Sequence, residues 1–155
     1  MTSAAAVLVC ALELLGRSPG SLPRIEVLDK RPSNLSSNAA AFVNHREDVI
    51  YLIGSASAFQ EAREARSRCG NLEALKVVAS MIVHEEWHLR HGFDEAGAYH
   101  AQLMALHKLG LGPGTATYAG VQRAMQAALR RQAARDRLAR SDTPVSPMLS
   151  ASRAR

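Results

Sequence analysis

Residues 77–103 read VVASMIVHEEWHLRHGFDEAGAYHAQL, and the fold turns on them. Leu72, Leu75, Val77, Val78, Met81, Ile82 and Val83 cover more than one face of a helix. A helix apolar on several sides is expected at the centre of the fold, packed among neighbours. Asn71 offers a side-chain cap at its start, and Gly92 marks its end. His84 and His88 stand four apart, which sets both imidazoles on one face, one turn apart, where two nitrogens reach one ion at about 2.0–2.1 Å. Glu85 is displaced by one position and points beside the ion, where a carboxylate takes a proton from an activated water. At this chain's own residue frequencies, an HExxH pattern arises by chance about once in a hundred such sequences.

Two histidines do not complete a catalytic zinc site, which takes three protein ligands and keeps an open position. Four residues are candidates for the third place. His91 follows on the same helix, but two turns separate it from His84, about 10.5 Å along the axis. Asp94 has the spacing of the third ligand of metzincins, although the glycine that family needs three residues after the second histidine falls one later, at Gly92. Glu95 opens the next helix, and His100 lies about one turn further along it.

Around this segment the remaining elements are short. Ser3 and Gly16 bracket an N-terminal amphipathic helix. That stretch lacks a basic start and is interrupted by Glu13, so it does not read as a signal peptide. Residues 24–29 alternate as a half-buried strand, and residues 40–43 and 49–53 flank a polar turn as a hairpin. Helices are expected over 55–70, from Asp94 to Gly110, and over 115–140. The whole is an α+β, mostly helical domain spanning residues 1–140, with a small three-stranded sheet, followed by a disordered basic tail over 141–155.

The composition agrees with one such domain. In 155 residues, 47% are hydrophobic and only 5% aromatic, which favours tightly packed helices over a sandwich. The net charge is +5, and residues 121–155, with eight arginines against two aspartates, carry +6 of it against −1 for the rest of the chain. That pattern reads as a solvated helix end and a loose terminus rather than a nucleic-acid surface. Cys10 and Cys69, both placed in expected helices, show no CxxC spacing and form no disulfide framework, so a reducing, cytoplasmic setting is expected. No stretch is long enough to span a bilayer.

His84-Glu85-x-x-His88 followed by Glu95-x-x-Ala98 resembles zincin metallopeptidases of the gluzincin kind, in which a Glu opening an ExxA pattern supplies the third ligand. The ImmA/IrrE-type peptidases are a broad comparison. The closest likeness is to small metallopeptidases with an HExxH…DEAxAYxxQL segment, matched by His84–His88 and Asp94–Leu103. The resemblance implies zinc held by His84, His88 and Glu95, Glu85 as general base, and a peptide or protein substrate. Tyr99, one turn after Glu95, is a candidate donor to a substrate oxyanion. By the same likeness the strand over DVIYLI is expected at the upper edge of the cleft. Only six residues separate His88 from Glu95, fewer than in the well-known gluzincins, so Asp94 stays open as the alternative ligand. A different class of function is a catalytically silent metal-binding protein, or a helical interaction protein that uses its basic C-terminal helix.

Overall fold

The computed structural model describes residues 2–18, 20 and 23–141. Along the chain run α1 (Ala4–Leu14), β1 (Arg24–Leu28), β2 (Ala41–Asn44), β3 (Val49–Ile53), α2 (Ser57–Glu64), α3 (Leu72–His91), α4 (Glu95–Lys108) and α5 (Ala116–Ser141). The class is α+β, mostly helical, as expected. The tail anticipated over 141–155 lies outside the described residues from position 142 onward.

α3 is the hub. It touches α1, α2, α4, β2 and β3. Leu75, Val78, Ala79 and Ile82 recur at helical spacing and pack with Val7 and Ala11 of α1, Phe59 of α2, and Ile50 and Leu52 of β3 into one core. The helix starts where the Asn71 side chain accepts from the Ala74 N–H at 3.2 Å. In α1 the Ser3 hydroxyl caps in the same way, accepting from Ala6.

The sheet has the order β1-β3-β2, with β1 parallel and β2 antiparallel to β3. β3 is the central strand because it is apolar on both faces: Val49, Ile50, Leu52 and Ile53 are all buried. This overturns the expectation that the DVIYLI strand borders the cleft. Both edges of β3 are paired, and β2 takes the free edge beside α3.

Two other expectations are corrected together. The helix expected over 55–70 stops at Glu64, where Ala65 turns extended at ψ 138°. Cys69 is not helical; it sits at φ 59° and is bonded to Cys10 of α1, with Cα atoms 5.6 Å apart. The two cysteines are therefore paired, not free. Adjacent placement of α1 and the 65–70 turn on α3, rather than sequence spacing, brings them together. The bond closes a loop across a sequence separation of 59 residues. The chain-entropy model gives such a loop about 4 kcal/mol. Urea unfolding should accordingly show wild type losing about 4 kcal/mol on reduction, and a Cys10→Ala/Cys69→Ala variant indifferent to reductant.

Candidate metal centre

The site is built by the turn between α3 and α4. Gly92 adopts φ 71°, ψ −152°, a conformation essentially restricted to glycine, and this reverses the chain. Asp94 then caps α4. One carboxylate oxygen accepts from the Gly97 N–H at 3.1 Å, and the other accepts from the Trp87 indole N–H at 3.2 Å. The Gly97 N–H first, and then the indole, hold the Asp94 carboxyl below the usual aspartate range. A Cβ on Gly97 would overlap both the indole and the Asp94 carboxylate, so glycine is required there. With Asp94 committed to the cap, Glu95 is the acidic residue that faces the histidines.

His84, His88 and Glu95 converge. The two imidazole Nε2 atoms lie 3.1 Å apart, and each is 3.8 Å from a Glu95 carboxylate oxygen. Ligands held tetrahedrally at zinc's usual bond lengths are about 3.3–3.4 Å from one another, so the three side chains are spaced to share one ion. The outer nitrogens support this. The His88 Nδ1–H donates to the Gly92 carbonyl at 2.8 Å, and the His84 Nδ1–H donates to the Gln102 Oε1 at 3.1 Å. Gln102 in turn donates to the Ser80 hydroxyl at 3.4 Å, which donates to the Val77 carbonyl at 2.8 Å. With both protons on Nδ1, both Nε2 lone pairs point at each other, a repulsive arrangement that a cation between them relieves. Burial first, and then the neighbouring His88, lower the His84 pKa to about 4, which keeps it in the neutral form that ligates metal.

Glu85 is 9% exposed. Burial, reinforced by the Glu95 charge, pushes its carboxyl up to about 8. Tyr99 packs edge-on against the His84 ring at 4.6 Å between centroids. Its hydroxyl pKa is raised by burial and then by Glu95, with Arg131 opposing. These groups border a cleft of about 1030 Å³, roofed by residues of β2 and the preceding loop and walled by α5.

The other histidine candidates lie elsewhere. His91 is exposed and packs on Trp87 at 4.2 Å, and His100 is exposed on α4. A second trio, Cys10, Glu13 and Cys69, also falls within ligating reach of one another, but its two sulfurs are joined to each other. Sequence reasoning missed Gln102, although its place seven residues after Glu95 puts it on the same helix face. It also missed the partner of Glu86. That carboxylate is buried and held bidentately by Arg17, with Nη2 donating to Oε2 at 2.7 Å and Nη1 to Oε1. Nothing local to Arg17 signals a contact 69 residues away.

Compared with family models, with curated proteins and with solved structures, the chain matches none.

Metal analysis of the purified protein after incubation with zinc and gel filtration should give one ion per chain. His84→Ala and Glu95→Ala should lose it, whereas Asp94→Ala should retain it and lose about 1 kcal/mol of stability with the cap. Gln102→Leu should weaken the metal about 10- to 100-fold by freeing the His84 ring, read by competition with a chelator.

Proposed function

We propose that this chain is a zinc-dependent metallopeptidase. The observation that carries the reading is the convergence of His84, His88 and Glu95 at the floor of a cleft, with Glu85 buried beside them. The motif-level resemblance to small gluzincin-like peptidases supports the same assignment. Two neutral imidazoles and one carboxylate form a donor set suited to zinc, and the cleft leaves a side open to solvent and substrate. When bound there, zinc would supply a Lewis acid that polarises a carbonyl and draws the pKa of water toward about 7.

The residues of the chain supply the rest. Glu85 takes a proton from the attacking water and delivers it to the leaving amide nitrogen, so that water adds across the peptide bond. Glu85, whose burial raises its pKa, would be drawn toward the basic form needed for the first transfer by a positive charge held at the neighbouring ligands. Tyr99 is placed beside His84 to donate to the oxyanion that forms as the carbonyl is attacked.

A peptide fits better than other hydrolysable groups because of β2. The Ile53 N–H donates to the Ala40 carbonyl at 2.9 Å, which makes 40/53, 42/51 and 44/49 the hydrogen-bonded pairs. Ala41 and Val43 therefore turn their N–H and C=O groups toward the free edge, and both residues line the cleft. An extended peptide can pair there as an added strand and run along the cleft that His84, His88 and Glu95 also line. The role given to DVIYLI from sequence thus passes to β2.

The competing reading is a silent metal-binding protein. With Cys10 and Cys69 joined, the cysteines no longer speak for a cytoplasmic setting; no described helix is long and apolar enough to cross a membrane. Glu85→Gln separates the two readings. In a fluorogenic peptide-library assay the variant should keep its metal and lose about 10²- to 10⁴-fold in turnover. Turnover by Glu85→Gln equal to wild type, or no turnover by zinc-loaded wild type across the library, would count against the peptidase.

A further inference from the structure

The cleft has an uneven charge. Its carboxylates, Glu85 and Glu95, are both gathered at the metal centre. Away from that centre the charged lining residues are Arg46, in the β2–β3 turn, and Arg131, on α5. Among the described residues the arginine–carboxylate ion pairs are those of Arg17, Arg24 and Arg68, and no ion pair involves Arg46 or Arg131. Both cations therefore border the space a substrate would fill, with no acidic partner among the described residues.

Arg131 is the better placed of the two. Val121, Ala124, Ala128 and Arg131 recur at intervals of three and four, so one face of α5 borders the cleft. The alanines leave room beside them. Arg131 is the long polar side chain on that stripe. α5 is anchored by packing on α4, the helix that carries Glu95 and Tyr99. Arg131 lines the same cleft as Tyr99, whose ring touches His84, so the guanidinium and the metal centre border one space. A planar guanidinium with free donors binds a carboxylate bidentately.

We propose that Arg131 is a carboxylate-binding residue of this cleft, and that the peptide taken there presents a carboxylate on the α5 side of the scissile bond. The proposal rests on the peptidase reading and specifies its substrate class. The carboxylate has two sources, an acidic side chain or a free C-terminus. Both satisfy the same guanidinium, and they differ in what else the cleft must hold.

The test uses the full chain carrying Glu85→Gln and equilibrated with zinc, so that binding is read without turnover. Alanine-rich, N-acetylated hexapeptides are titrated by calorimetry at constant ionic strength. One set is amidated, with a single glutamate moved through the six positions; a second peptide has no glutamate and a free C-terminal acid; the reference is neutral and amidated. Because Arg131 is exposed, the expected preference is about five- to tenfold over the reference rather than the larger effect of a buried pair. A preference for one glutamate position identifies a side-chain carboxylate, and a preference for the free acid identifies a terminal one. Arg131→Glu should abolish the preference. Arg123→Glu makes the same change in net charge outside the cleft lining and should leave it intact. Equal binding by all peptides, no binding by any, or a preference that survives Arg131→Glu or falls equally with Arg123→Glu would overturn the proposal. Cleavage by wild type, assayed in parallel, separates the two ideas. Cleavage without acidic preference removes only the role of Arg131, whereas selective binding without any cleavage removes only the peptidase.

Discussion

The hydrogen bond from the His88 imidazole to the Gly92 carbonyl is the point on which the site depends. It joins an expected metal ligand to the turn that delivers the third one. Only six residues lie between His88 and Glu95, so the chain must reverse at once on leaving α3. Gly92 permits this because it reaches a backbone conformation that side chains exclude. The carbonyl exposed by that reversal then fixes the His88 ring, and Trp87 and Gly97 grip Asp94 so that Glu95 points inward. Turn geometry and ligand orientation are one constraint, and a substitution at Gly92 or Gly97 would disturb both.

α3 carries this chemistry at an energetic cost. His84, Glu85, Glu86 and His88 are all buried on one helix, where unpartnered polar groups are destabilising by about 1–3 kcal/mol each. Most are compensated. Glu86 is held by Arg17, His84 by the Gln102–Ser80 relay, and His88 by Gly92. The apolar half of the same helix, from Leu75 to Ile82, supplies the burial that keeps it in place. Glu85 is the residue whose protonation its surroundings displace most clearly toward neutrality, with a pKa of about 8.

What could be read from the chain was whatever depends on neighbours in sequence. Helical spacing in 72–83, the Asn71 cap, the start of a helix at Asp94, the stops at Gly16 and Gly92 and the hairpin around residues 45–48 are local, and these features appear where they are expected. That Glu95 and not Asp94 faces the histidines follows from the Gly97 and Trp87 hydrogen bonds, which occupy both Asp94 carboxylate oxygens. Features made by distant contacts were not legible. The order of three strands decides that β2 and not β3 is free. The stacking of α1 on α3 decides that Cys10 meets Cys69 and Arg17 meets Glu86, and the early end of α2 follows from the chain turning to make the first of these.

The most direct measurement is X-ray absorption at the zinc edge on the metal-loaded full chain and on Glu95→Ala. Zinc bound by His84, His88 and Glu95 should show nitrogen and oxygen neighbours at about 2.0–2.1 Å, with the outer-ring scattering of two imidazoles and no sulfur, and an altered spectrum in the variant. A sulfur ligand, a third imidazole, or a spectrum that Glu95→Ala leaves unchanged would contradict that ligand set.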